Sequence, residues 1–262
     1  MPPFTMGRMG DVLAGNHAVW EFDSDSVLIR FARGMRTPRL WQALGSRRIP
    51  LEALSEVTVT AGKRNTVILH AVPRPGADPL MEAAAGQLRE ARDPYRLVLP
   101  GERHPLASAF AEAVRGQLGP DASEPAPGFL VDVPEPQRNL KASDARVGFD
   151  GSAVTFHWSR TGATGTKWKA GDQRYPLSEL GGVEWRSPEG PGDGHLRLLP
   201  LVPRDGGHET RADHDLAAAV LGTGHGAVHE SLPLAAAVLA ALPRGRRLTS
   251  ARGLLPAPPP LH

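Results

Sequence analysis

Phe22-Asp-Ser-Asp-Ser-Val-Leu-Ile-Arg-Phe-Ala-Arg33 returns 127 residues further along the chain as Phe149-Asp-Gly-Ser-Ala-Val-Thr-Phe-His-Trp-Ser-Arg160. Val27, Ile29 and Phe31 alternate with Leu28 and Arg30, and Val154, Phe156 and Trp158 alternate with Thr155 and His157. Successive side chains of a strand point to opposite faces, so each stretch reads as a β-strand with one buried side. The Asp, Ser and Gly residues before these strands are turn formers, and a short strand ends at Phe22 and at Phe149; each stretch therefore opens as a β-hairpin. After one deleted residue the offset becomes 126, and Ile49, Pro50, Leu51, Leu54 and Val57 fall on Tyr175, Pro176, Leu177, Leu180 and Val183. An internal repeat organises the chain.

The rest of each copy follows the same plan. Further β-type runs lie at residues 57–60, 66–72 and 95–99 in the first copy and at 183–186, 195–201 and 216–221 in the second. Leu106, Phe110, Ala113, Val114 and Leu118 recur at helical spacing, as do Leu234, Ala235, Val238, Leu239 and Leu242, so an amphipathic helix ends both copies. Gly119-Pro120 and Pro243-Arg-Gly245 stop these helices. The first copy adds the Ala-rich residues 80–91, a second helical stretch that Gly86 weakens. The expected fold is α+β and mainly β: two tandem pleckstrin-homology-like (PH-like) β-barrels or sandwiches, each closed by a C-terminal helix. The expected boundaries are a flexible N-terminus over residues 1–12, a first repeat over 13–120, a Pro-rich linker over 121–138, a second repeat over 139–245 and a disordered Arg- and Pro-rich tail over 246–262.

Composition narrows the function. The 262 residues carry 30 Lys and Arg against 28 Asp and Glu, a net charge of +2, which excludes binding to a polyanion driven by overall charge. Only Lys63, Lys141, Lys167 and Lys169 are lysines, so the positive charge is almost all guanidinium. The absence of Cys removes disulfides, thiolate nucleophiles and zinc–thiolate sites. The N-terminus lacks a basic region followed by an apolar stretch, and the apolar run Leu232–Leu242 is about half the roughly 20 residues a membrane span requires. A soluble cytoplasmic protein, peripheral to the membrane at most, is the expectation.

Several stretches resemble an actinobacterial family catalogued as domain of unknown function 4429. They are Asp78-Pro79-Leu80, Gly86-x-Leu88 and Asp93-Pro94-Tyr95-Arg96-Leu97 in the first copy. In the second they are Gly182-Val183-Glu184-Trp185, Gly194-His195-Leu196-Arg197 and the expected terminal helix over residues 235–243. The resemblance covers roughly residues 13 to 243. It implies a tandem PH-like fold in a cytoplasmic actinobacterial setting and carries no catalytic residues to transfer. Two places depart from the family: Asp213-His214-Asp215 opens a strand where an Asp-Pro-Asn-like turn is expected, and the chain after Pro243 is Arg- and Pro-rich.

Motifs that carry chemistry are few. Gly222-Thr-Gly224-His-Gly226-Ala227 fits a loose dinucleotide fingerprint, but no acidic residue on a further strand follows it, so a turn between the last strand and the terminal helix is expected. His195, His208, His214, His225 and His229 cluster in the second copy, with His225 and His229 at the i, i+4 spacing of a metal pair. His225 lies between two glycines, which disfavours the helix that pairing needs. No metal, no cofactor and no catalytic residue is assigned, and a nucleotide- or metal-dependent enzyme using residues 208–230 stands as the alternative. Nucleic acid is an unexpected partner because base-stacking aromatics are sparse.

One feature carries a functional expectation. Residues 30–48 hold Arg30, Arg33, Arg36, Arg39, Arg47 and Arg48 and no acid, and the matching stretch of the second copy holds Arg160, Lys167, Lys169 and Arg174 against Asp172 alone. Each also holds a tryptophan, Trp41 and Trp168. Guanidinium forks and ammonium groups bind acidic or phosphate groups, and a surface Trp anchors them. The candidate contact residues are Arg33, Arg36, Arg39, Trp41, Arg47, Arg48, Lys167, Trp168, Lys169 and Arg174. A protein partner is favoured, with anionic lipid or phosphate as the other ligand class. The competing reading is a solvated Arg-rich loop whose Trp packs inward to close the barrel.

Overall fold

A computed structural model describes residues 12–136, 139–190, 192, 194–202, 211–222 and 224–243. The chain divides into two compact units, one built from residues up to Glu82 and from Leu88–Glu135, the other from Ala83–Gln87 and from Pro136 onward.

In the first unit β1 (Val12–Gly15), β2 (Ala18–Asp23), β3 (Ser26–Phe31) and β4 (Ser46–Pro50) form one antiparallel sheet in that order. The segment between β3 and β4 contains α1 (Arg39–Leu44), and a 3-10 turn at Leu51–Ala53 leads out of the sheet. β5 (Leu54–Ala61), β6 (Thr66–Pro73) and β7 (Arg96–Pro100) form a second sheet, with α2 (Pro79–Ala84) between β6 and β7 in the chain, and α3 (His104–Arg115) ends the unit. The strand alternation is the one the sequence carries: Val27, Ile29 and Phe31 are buried, while Leu28 is half-buried and Arg30 exposed. Ala107, Phe110, Ala111 and Val114 form the buried stripe of α3, and Phe110 meets Trp20 and Phe22 of β2 edge-on at centroid distances of 6.4 and 6.2 Å. The helix thereby covers the core between both sheets. Trp20 is fully buried there, the kind of burial worth several kcal/mol per large side chain.

The second unit repeats the plan. Its first sheet, in the order β11-β10-β9-β8, is built from β8 (Asn139–Lys141), β9 (Ala145–Phe149), β10 (Ala153–Trp158) and β11 (Gln173–Pro176), with α4 (Gly165–Ala170) before β11. β12 (Leu180–Arg186), β13 (Gly194–Pro200) and β14 (Ala218–Leu221) form the second sheet, and α5 (Val228–Ala241) packs on β12. α5 begins well before the apolar spacing at Leu234 suggests and contains Pro233. Its early turns are held from the side: Trp185 Nε1 donates to Ser231 Oγ at 3.0 Å, and that hydroxyl donates to Ala227 O at 3.0 Å.

The repeat extends to single hydrogen bonds. Asn16 N–H donates to Val98 O at 2.8 Å, and 127 residues on Ser143 N–H donates to Val220 O at 2.8 Å, joining the two sheets of each unit at one corner. Leu51 N–H donates to Asp25 O and Leu177 N–H to Ser152 O, both at 2.9 Å. A single bond is not a ladder, so the sheets stay separate and neither unit closes into a barrel among the described residues. The described residues are mainly β, in four antiparallel sheets.

Three local expectations change. The helical stretch at 80–91 ends at Ala84 because Ala85 and Gly86 turn to positive φ, 46° and 73°. The stretch 30–48, read as a loop, contains the end of β3, α1 and the start of β4. The Pro-rich segment after residue 120 is strapped to the first unit. Arg74 donates to Glu124 O, Pro125 O and the Asp121 carboxylate, and Leu130 and Val131 N–H both donate to Ala77 O. Of the expected flexible start at 1–12 and tail at 246–262, residues 1–11 and the whole tail lie outside the described residues, as does His208, whereas Val12 begins β1.

Candidate functional site

The basic stretch of the first unit separates by geometry into a buried and an exposed set. β4 pairs with β3 in the register Ile29↔Arg47 and Leu28↔Arg48, so Arg47 shares the inward face with Ile49 and Arg48 points out. Arg47 forks onto Asp78, Nη1 to Oδ2 at 2.8 Å and Nη2 to Oδ1 at 2.9 Å, and Nη2 also reaches Asp132 O at 3.2 Å. Tyr95 OH donates to Asp78 Oδ2 at 2.8 Å and Leu80 N–H to Asp78 Oδ1 at 2.9 Å, so all partners of this carboxylate are buried protein groups. Burial opposes the charge on Arg47, but Asp78, together with Tyr95 and Asp132, outweighs it and holds the guanidinium above its ordinary pKa. Burial, with Asp78 adding to it, pushes the Tyr95 phenol well above its ordinary value. Asp78 and Tyr95 were visible in the sequence only as family-like motifs; they are the internal partners of Arg47.

Trp41 is buried as well. Its ring lies 5.4 Å from Phe31, and its Nε1 donates to Arg92 O at 2.9 Å, tying α1 to the segment that enters β7. The inward reading holds for this tryptophan. Trp168 behaves differently because the one-residue deletion falls ahead of the short helix. The third residue of α1 is Trp41, and the third of α4 is Lys167. Lys167 is fully buried, with Nζ 2.6 Å from Asp144 Oδ2, 2.6 Å from Ala212 O and 2.7 Å from Ala218 O. Its Nζ also stands 4.7 Å from the Trp158 ring centroid. Trp158 corresponds to Phe31 in the repeat, so an aromatic pair in one copy is replaced by a cation on a ring in the other, and both residues tie a short helix to the segment entering the last strand. Burial lowers the Lys167 pKa, with Asp144 opposing. Trp168 is left 52% exposed.

Arg47, Trp41 and Lys167 are therefore structural, and their burial removes them from the contact surface. Arg48 is exposed beside Asp23 and Asp25, at 3.7 and 3.9 Å, and donates to Ser26 Oγ. Arg174 pairs with Asp150 at 3.1 Å. Trp168 and Lys169 are exposed on α4. Arg33, Arg36 and Arg39 are exposed and make no ion pair or side-chain hydrogen bond with a described residue. Met35, between them, is completely exposed.

The backbone carrying these three arginines is fixed. Gln42 Nε2 donates to Gly34 O at 3.0 Å and to Thr37 O at 2.8 Å, Thr37 N–H donates to Gly34 O at 3.1 Å, and Ala32 N–H donates to His17 O at 2.8 Å. Thr37 is buried, its hydroxyl 3.3 Å from His17 Nδ1. With Thr37 anchored inward, Arg33, Met35 and Arg36 project outward. Nearby, a cleft of about 290 Å³ lies beside β4, lined by Leu44, Ser46, Arg47 and Arg48 and by Val131–Glu135. Arg33, Arg36 and Arg39 do not line it.

The Gly- and His-rich stretch of the second unit forms a turn. Gly222 and His225 exchange backbone hydrogen bonds at 3.0 Å, and Gly226 at φ 66° brings the chain against Leu221 ahead of α5. His225 lies before the helix and His229 within it, 3.7 Å from Glu230, so the i, i+4 pairing does not form. His195 is buried on β13, 3.5 Å from Glu184. Asp215 N-caps the turn into β14 by accepting Ala217 N–H at 2.8 Å, as Asp93 accepts Tyr95 N–H at 2.9 Å before β7. Each also faces a base on the central strand of its sheet: Asp93 faces His70 at 3.3 Å, and Asp215 faces Arg197 at 2.9 Å. Asp215 thus serves in the second copy where Asp-Pro serves in the first. Among the described residues no three His, Asp or Glu side chains converge as a metal site.

A family model described as a domain of unknown function, DUF4429, matches the chain in two segments, residues 20–115 and 147–239. No curated protein matches it.

Proposed function

The chain belongs to the DUF4429 family, in two copies, and from that premise we propose that it is a non-enzymatic binding or scaffolding protein made of tandem PH-like units. In this reading an anionic partner is held at the exposed basic stretch after β3. A four-stranded sheet, a three-stranded sheet and a terminal helix, twice over, support the PH-like assignment. The arginine-rich composition fits the actinobacterial, cytoplasmic setting that the resemblance implies.

The observation that carries the reading is the fate of the arginines. The fold uses Arg47 internally and balances Arg48 with acids, yet leaves Arg33, Arg36 and Arg39 with no acid within residues 30–48. Three cations with no ion-pair partner among the described residues, held on a fixed backbone, cost self-repulsion that an anionic partner relieves. In the second unit Trp168 and Lys169 offer an exposed aromatic–cation pair.

The test sets the full chain against immobilised polyglutamate and against anionic vesicles, beside Arg33→Ser/Arg36→Ser/Arg39→Ser. Binding of the wild type to at least one matrix, lost in the triple variant, is the expected result. Wild type that binds neither, or a variant that binds as well as wild type, refutes the reading. The Gly/His-rich stretch 208–230, which motivated an enzyme, supplies a backbone turn rather than convergent side chains among its described residues, so no observation favours that second reading.

A further inference from the structure

We propose that the partner of the first unit is an anionic bilayer surface, docked by residues 33–39 with Met35 inserted among the acyl chains and Arg33, Arg36 and Arg39 at the headgroups. This inference rests on the binding role proposed above and names the class of partner.

Three observations select a bilayer over an acidic polypeptide. The first is the fully exposed Met35 at the tip. Cations alone suffice for an acidic peptide, whereas an unbranched apolar side chain held in water between arginines also gains from an apolar phase lying behind a negatively charged layer. The second is shape: peptides are bound in grooves or along sheet edges, yet Arg33, Arg36 and Arg39 stay outside the cleft beside β4, which is lined by acidic Asp132 and Glu135 as well as by Arg47 and Arg48. An exposed segment that lies outside this cleft suits a surface. The third is rigidity. Gln42 binds both Gly34 O and Thr37 O, and buried Thr37 is fixed against His17, so the tip is already formed and loses little freedom on docking. Charge is complementary too, because no Asp or Glu occurs from residue 30 to residue 48 to repel an anionic leaflet.

The chain has no Cys, so a Met35→Cys variant accepts one environment-sensitive dye at the tip without background labelling. Full-length protein is mixed with phosphatidylcholine vesicles, with the same vesicles carrying about a third phosphatidylserine, and with polyglutamate. The expected result is co-sedimentation with the anionic vesicles only, together with a blue shift of the label. At about fivefold per arginine near an anionic surface, Arg33→Ser/Arg36→Ser/Arg39→Ser should weaken partitioning on the order of a hundredfold. Met35→Ser should weaken it about tenfold. Binding to polyglutamate without vesicle binding overturns the bilayer assignment and leaves the binding role standing. Vesicle binding with no shift at residue 35, or undiminished by Met35→Ser, overturns the insertion of Met35. Binding to neither overturns both readings. Circular dichroism of each variant, matched to wild type, confirms that the fold is intact, since all four side chains are exposed.

Discussion

Arg47 and Arg48 are adjacent in sequence and chemically identical, and the fold makes them unequal. Arg47→Met removes the cation from a pair in which the two side chains are 4% and 0% exposed. Asp78 would then remain buried with only the Tyr95 hydroxyl and the Leu80 amide against its charge. Breaking a buried pair in this one-sided way costs about 3–5 kcal/mol. Arg48→Met removes a side chain that is half exposed, 3.7 and 3.9 Å from its acids, and screened by water, so the cost should be below about 1 kcal/mol. In a urea titration of the full chain, followed by circular dichroism and Trp fluorescence, a slope of about 2 kcal/mol/M converts the first figure into a midpoint shift of roughly 2 M for the transition of the first unit. Arg48→Met should shift the midpoint by less than about 0.5 M. Arg47→Lys keeps the charge but loses the fork, and should fall between the two. Equal midpoints for Arg47→Met and Arg48→Met would refute the assignment of Arg47 to the core.

Three further outcomes follow from the same geometry. Lys167→Met should destabilise the second unit by about 3–5 kcal/mol because Asp144 loses its buried counter-charge, whereas Lys169→Met should stay within about 0.5 kcal/mol; urea midpoints again decide, and equal effects would contradict the burial of Lys167. Gly15→Ala places a methyl 2.7 Å from Val98 O, so it should open the corner between β1 and β7 at a cost of about 1–3 kcal/mol. Hydrogen exchange at the Asn16 amide checks this, and unchanged protection would count against the corner bond. Tyr95 keeps its proton in the folded state above the ordinary tyrosine value of about 10, while the unfolded chain releases it there. Its contribution is therefore complete below about pH 10 and is lost as pH rises beyond it. The pH slope of stability above that point should be shallower in Tyr95→Phe than in wild type, and identical slopes would contradict the raised phenol.

Much of the fold is legible in the residues. Alternation in residues 27–31 and 154–158 placed the central strands and their buried faces, because a period of two survives any tertiary setting with one side wet. The helical spacing of α3 is legible too, but of the apolar residues that carry it only Phe110 and Val114 are buried; Leu106 and Ala113 are exposed, Leu118 lies beyond the helix, and Ala107 and Ala111 complete the inner face. What sequence reading missed was short or dependent on distant partners. α1 and α4 have six residues each, too few for a helical period to show, and without them the deletion between offsets 127 and 126 could not be placed. That is why Trp41 and Trp168 look equivalent in the sequence and prove to be core and surface. Lys167 looks like a surface cation in the sequence because Asp144, its partner, lies 23 residues away in the chain and gives no local signal. For Arg47 a signal existed: Ile49 two positions on, an inward residue of the same strand, puts Arg47 on the buried face. The separation of Arg33, Arg36 and Arg39 from the other basic residues required Asp78, Asp23 and Asp25 to be located in space.

The most direct measurement is the affinity of the full chain for an anionic matrix as ionic strength is raised, with two variants that lose the same net charge. One is Arg33→Ser/Arg36→Ser/Arg39→Ser; the other removes exposed arginines elsewhere, Arg64→Ser/Arg146→Ser/Arg186→Ser. If residues 33–39 form the contact, the first variant loses about a hundredfold at low salt, the loss shrinks as salt screens the wild type, and the second stays close to wild type. Equal losses in the two variants would show that only net charge matters, and no loss in either would contradict the account at its centre.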